Sequence, residues 1–531
     1  MAKKEKITLN VPTGKPDTWK LYLVGFVLLA LFTVGVYGPV FRHLAEENYF
    51  SFDALPMAYV LRLPLGKLYW FGRFLTLVFC NRIVGGLVLA GMLTLIAWFV
   101  DRPLPQKWRG AGFLVPVLLM SWTVYRGYNL YFRNEPSVVM LLVVLFLLLS
   151  AVCVFFRKKS VENVTLLKRF GLYVMLLSTL GLSLLAWTTR QNVILSCDMQ
   201  NKLMDDDWEG IIDDALSARH PDRSVAAYHV IGLNAIGQVL ERTFEIRYDF
   251  PEVKLDSIGN MDEGVNYVAD CNLYAGLVQP AYHTTMENLV MGGPRVMYFK
   301  RMAMCSVING ERKLAERYLN IVSQMPFQSA FVEKYTHYLN DSTAMRNDPT
   351  IARILQFAPQ PNLQNPMQGV FEQQYRQPTF LGYNVGVLAG SDETLSTSVA
   401  AAMYSKDLEN VILRSRYLQS RRSLPLTLQQ ALVIASLKRP GLLEQFPEVK
   451  NNPMVESEVK SFLMDATPLT QERKEALVGV TDSVQMKEIN DQFDERMADA
   501  LQSRWMGSYM YYYYCGNLKQ AKGKKQETGV N

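Results

Sequence analysis

Histidine and paired cysteine are nearly missing from this 531-residue chain. Its five histidines (His43, His220, His229, His283, His337) form no HExxH, and its six cysteines (Cys80, Cys153, Cys197, Cys271, Cys305, Cys515) include no CxxC pair. A zinc centre needs ligands that converge on one ion, and a disulfide framework needs sulfurs that meet. Neither class has support, so the cysteines read as buried free thiols, with one pair among Cys197, Cys271, Cys305 and Cys515 as the alternative, and no metal or other cofactor is expected. GxxxxGK[ST], GxGxxG and GxSxG are absent too, which removes the phosphate cradle, the dinucleotide loop and the nucleophile elbow. Charge is scarce inside the long apolar runs, where coupled transport would place it. The formal net charge is +6, but the basic residues sit beside apolar runs. They read as topology determinants, and no nucleic-acid partner is expected.

What is present divides in two. A mean hydropathy of +0.03 averages a membrane-like first part with an ordinary soluble remainder. Residues 1–20 form an N-terminal cytoplasmic segment and 21–190 a transmembrane domain of about five spans: 21–40, 83–100, 111–125, 137–156 and 170–187. About 20 apolar residues cross a hydrocarbon core. The 111–125 run is short and is completed by Arg126 and the aromatic residues after it. With the N-terminus inside, the inner segments carry 13 Lys and Arg and the outer segments 7, which places the C-terminal domain outside the cytoplasm of an inner membrane. Residues 56–80 read as an interfacial or re-entrant stretch with Arg62 and Arg73 on one wet face. A sixth crossing is the alternative, and it would turn the C-terminal domain inward.

Residues 205–517 read as amphipathic helices. Trp208, Ile211, Ile212 and Ala215 follow helical spacing behind the acidic start 205–207. In AMCSVINGERKLAERYLNIVSQMP, Gly310 ends one helix, and Ala315, Leu319 and Val322 mark one face of the next. That pattern is tetratricopeptide-like, with weaker echoes in VIGLNAIGQVLERTF, FLGYNVGVLAGSDETLSTSVAAAMY and PLTLQQALVIASL; a nonrepetitive helical bundle is the alternative. Stacked repeats leave a groove suited to a protein partner. Residues 340–365 read as a long loop, 518–531 as a disordered tail, and MYYYYC (510–515) as core packing of a final helix.

The candidate chemistry lies in the first external loop, FRHLAEENYFSFDALPMAYVLRL. Glu46 or Glu47 could take a proton from an acceptor hydroxyl, or hold a cation with Asp53, while Arg126 or Arg133 paired with a lipid phosphate. The plainer reading makes the acids a solvated bend and the arginines headgroup anchors. NYFSFD, YWFGRFLTLVF, DWEGIIDDAL, NAIGQVLERTF, GPRVMYFKRMAMCSVINGERKLAERYL and WMGSYMYYYYC together resemble an uncharacterised Bacteroidota family of polytopic inner-membrane proteins. That resemblance implies a multispan bundle with a tetratricopeptide-like C-terminal domain and no assigned activity. The layout of 41–80 is similar to multispan glycosyltransferases that use lipid-linked sugars. The expectation is an all-α membrane scaffold, a docking protein of the cell envelope in contact with the lipid bilayer. The alternative is a membrane glycosyl- or lipid-phosphate transferase of envelope polysaccharide assembly.

Overall fold

The computed structural model describes residues 18–126, 135, 137–156, 167, 169–189, 191–250, 267–358 and 391–518. The N-terminal segment 1–17, Arg133 and the tail from 519 lie outside the described residues. The fold is all-α. Two compact units divide it: one of residues 1–45 and 65–190, the other of 46–64 and 191–531.

Four helices of the first unit are long and apolar enough to cross a membrane: Thr18–Val36, Arg82–Val100, Val138–Phe156 and Phe170–Thr189. Nineteen residues rise about 28 Å, close to a hydrocarbon thickness of about 30 Å. The expected fifth span is helical over Ala111–Arg126, a shorter apolar helix. The first span ends at Val36, and a new helix, Gly38–Glu47, takes up residues expected within it. A π turn over Leu31–Val36 causes the break. The Arg82 guanidinium donates to the carbonyls of Val34 at 2.8 Å and Gly35 at 3.0 Å, so backbone groups leaving the α ladder still find a partner.

Residues 56–80 are broken into Ala58–Leu61, Gly66–Thr76 and the 3₁₀ turn Leu77–Cys80, with Leu65 left-handed at φ 66°. The single wet face expected for Arg62 and Arg73 does not form. Arg73 is buried and gives Glu135 a bidentate pair, Nε to Oε1 at 3.1 Å and Nη2 to Oε2 at 3.1 Å. Gly72 permits this approach, since a Cβ there would meet Ser137 Oγ and Leu141 Cγ at 2.7 Å.

In the second unit, one turn recurs between successive helices. A left-handed residue stands two positions after the end of each first helix, at Asp206, Gly237, Gly276, Gly310 and Lys406. The next residue caps the following helix and donates its N–H five residues back. Those bonds are Asp207 to Lys202 at 3.0 Å, Gln238 to Leu233, Leu277 to Asn272, Glu311 to Ser306 and Asp407 to Ala402, the last four at 2.9 Å. This is a Schellman closure that reverses the chain into a tight helical hairpin. Ala315, Leu319 and Val322 are buried in the second helix of the Gly310 hairpin, as their spacing requires. The first helices of two hairpins, Arg223–Ala235 and Asp392–Tyr404, are buried nearly all round. At Gly310 a Cβ would meet nothing within 4 Å. Gly310→Ala is therefore expected to cost only the backbone term, about 1–2 kcal/mol, read as a lower urea midpoint; an unchanged midpoint would contradict the assignment.

The stretch expected as a loop from Asn340 begins instead with two short helices, Ser342–Asn347 and Pro349–Gln356. Asp341 accepts from the amides of Thr343 and Ala344, and Asp348 from those of Thr350 and Ile351. Each aspartate supplies the N-cap that starts a helix. Residues 359–365 lie outside the described residues. At the C-terminal end, Tyr509, Tyr511 and Tyr512 are buried. Tyr512 stacks on Phe244 at 4.5 Å and meets Tyr248 at 5.4 Å, so this aromatic run is core.

Candidate functional site

Glu46 and Glu47 close the helix Gly38–Glu47, and both belong to the second unit. The chain then turns extended, and Asn48 forms an antiparallel bridge with Arg295. That register sets Arg295 Nη1 2.9 Å from Glu47 Oε1, while Lys300 Nζ stands 3.3 Å from Glu46 Oε2. The Glu47 side chain is 2% exposed and that of Glu46 17%. Tyr49 rests on Phe299 at 5.5 Å and completes the clasp between the loop and the helix Val296–Ile308.

The other sequence candidates are placed differently. Asp53 is exposed; its backbone N–H donates to Ser51 Oγ at 3.1 Å. Arg126, in the first unit, is exposed with its guanidinium 6.0 Å from the Trp122 ring. Arg133 lies outside the described residues. The sequence did not nominate Arg295 and Lys300. They follow a glycine turn at Gly293 and stand 248 and 254 residues from their acidic partners, a separation no local spacing reveals.

A second polar cluster is fully buried. Asp270 pairs with Arg301 and accepts from Tyr228 Oη at 2.8 Å and Gln200 Nε2 at 2.9 Å. Burial, then the Asp270 charge, pushes the Tyr228 hydroxyl well above its usual value, so it remains a donor. Burial also raises the thiols of Cys197 and Cys271 well above normal and that of Cys305 to about 12. It lowers buried His229 to about 3. A protonated thiol is a poor nucleophile, and a base with a pKa near 3 holds no proton at neutral pH. The thiols and His229 are packed in the core, and the Tyr228 hydroxyl is a hydrogen-bond donor there. All six cysteines are free, and among the described residues no cluster of three His, Cys, Asp or Glu could hold a metal ion.

A concave feature of the second unit lies elsewhere. An open groove of about 1100 Å³ runs between the helices Leu426–Ser436 and Pro453–Leu477 and the turn that follows Trp505. Val455 and Trp505 form its buried floor, and Met454, Leu426 and Met506 stand exposed along it. Trp505 is held edge-on to Phe462 at 5.6 Å, and its indole N–H donates to Asp465 at 2.9 Å. Charged lining groups are already paired: Arg422 with Glu241, Arg504 with Asp465, and Glu458 with Gln430. The groove therefore offers a mixed surface, with apolar and thioether groups set among Ser423, Thr427, Asn452, Ser457, Ser461 and Ser508, and methionine adapts its shape to what it meets. Its parts come from segments far apart in sequence, so none of it was visible as a motif.

The chain matches the model of a family of unknown function, DUF6057, over residues 17–197 and again over 122–516. No curated protein and no solved structure matches it.

Proposed function

The chain belongs to that family, and we propose that it is a membrane-anchored docking protein whose second unit receives a protein partner. The groove floored by Val455 and Trp505 carries this reading. Its volume suits several side chains of a peptide, and its mixed lining offers both apolar surface to bury and polar groups to hydrogen-bond a peptide backbone. The recurring Schellman hairpins add support, because tetratricopeptide-like stacking of such hairpins builds concave partner-binding faces. The basic-residue asymmetry favours an inner-membrane protein with a cytoplasmic N-terminus and this unit outside.

The transferase reading needs a carboxylate able to take a proton from an acceptor. Glu46 and Glu47 each face a cation, which leaves Asp53 as its remaining acid. For the docking reading, a photo-crosslinking side chain placed at Met454 in membranes is expected to yield one discrete adduct. The same probe at Val478, equally exposed but away from the groove, yields none. Equal yields at both positions would count against the groove. Amide replacement of Glu46, Glu47 and Asp53 that left folding intact but accumulated a lipid-linked sugar would favour the transferase.

A further inference from the structure

The loop 46–64 is built with two faces. Phe50, Met57 and Val60 point inward and are fully buried. Tyr49 Oη donates to the Pro56 carbonyl at 3.2 Å, and Ser51 Oγ accepts from the Asp53 amide, so the segment holds a defined shape. Between these anchors Phe52, Leu55 and Tyr59 point outward, 67%, 86% and 55% exposed. The Tyr59 ring lies 4.0 Å from the Cβ position of Gly293, at the end of the helix Val278–Gly292. That helix ends in Val290 and Met291, which are 78% and 70% exposed. Tyr59 thus links the exposed apolar residues of the loop to those at the end of that helix. A soluble surface seldom shows such a patch without something to cover it.

We infer that Phe52, Leu55, Tyr59, Val290 and Met291 form a lipid-contacting foot that sets the helical unit on the headgroup layer of the bilayer. Chain continuity identifies the occupant. The loop is spliced between Ala45 and Leu65, both residues of the unit that carries the four membrane-length helices. Leu55 stands midway, ten residues from either, a stretch that spans at most about 35 Å. Aromatic and leucine side chains beside a basic residue, here Arg62, match the composition of interfacial segments, whose apolar faces sink about 5–10 Å into the headgroup boundary. Asp53, exposed between Phe52 and Leu55, stays in the aqueous headgroup zone and limits the depth.

The test uses the full chain in phosphatidylcholine–phosphatidylglycerol vesicles. Cys80 and Cys153 are replaced by serine; the other four thiols are buried, and burial holds them protonated. Leu55→Cys, or in a second protein Val478→Cys, then carries an environment-sensitive nitrobenzoxadiazole label. The expected result is a blue-shifted emission at position 55, quenched severalfold more by brominated lipid than by aqueous iodide, with the reverse order at 478. Iodide quenching at 55 equal to that at 478 would overturn the foot. A label at 55 shielded from both quenchers would overturn it as well, because a protein partner would then cover the patch.

Discussion

Truncating Glu47 to alanine is expected to destabilise the helical unit by about 3–5 kcal/mol. The cost comes less from the lost pair than from what remains, a guanidinium at Arg295 whose side chain is 12% exposed and has lost the Glu47 carboxylate. The neighbouring acid provides the control. Glu46 and Lys300 keep 17% and 18% of their side-chain surface in water, so Glu46→Ala is expected to cost at most about 1 kcal/mol. Cys197 reports the difference, since its thiol is fully buried and raised first by burial and then by the Glu47 charge. Its labelling under increasing urea should begin well earlier in Glu47→Ala than in the parent, and almost unchanged in Glu46→Ala. The double variant Glu47→Met, Arg295→Met should recover much of the loss, because an apolar pair of similar volume avoids desolvating two charges. Equal and small effects at both acids would sink this account. A transferase expects the opposite signature, with both amide variants folded and both inactive.

The parts of the fold legible in the sequence were those written in neighbouring residues. Ala315, Leu319 and Val322 lie within one helix, and Gly310 ends the helix before it, so periodicity and a single turn residue reveal the hairpin. The four helices long and apolar enough to cross a membrane are legible for the same reason. Asp341 and Asp348 show how a local signal is overlooked: a polar stretch reads as loop until each aspartate is recognised as the cap of a short helix. The candidate site was legible only by half. The acids at 46 and 47 stand out among aromatic residues, yet what they do is decided by Arg295 and Lys300 across the unit. Likewise the groove exists because Trp505 meets Val455 and Leu426 in space, and Lys406 holds a left-handed turn where glycine would be expected. Long-range pairing, unlike periodicity, leaves no trace in spacing.

The first unit contains its own test of that point. Glu135→Ala is expected to cost about 3–5 kcal/mol, because buried Arg73 would lose its bidentate carboxylate partner. Both side chains are nearly sealed, 3% and 2% exposed, and Glu135 also accepts from the Ser137 hydroxyl at 2.5 Å. The pair ties the helix Gly66–Thr76 to the start of the helix Val138–Ala151. It accounts for why a stretch with three basic residues, Arg62, Lys67 and Arg73, need not lie wholly on a wet face. Glu135→Gln keeps oxygen and amide in place and should lose less. Arg73→Lys should lose nearly as much as Glu135→Ala, since an ammonium cannot make the two parallel bonds of a guanidinium. Gly72→Val separates packing from charge. It should destabilise through collision with Ser137 and Leu141 while both charges remain. The measurement is the thermal midpoint of the detergent-solubilised full chain, followed by loss of the monodisperse peak. A Glu135→Ala midpoint equal to the parent's would mean that the pair does not hold the path of residues 66–80.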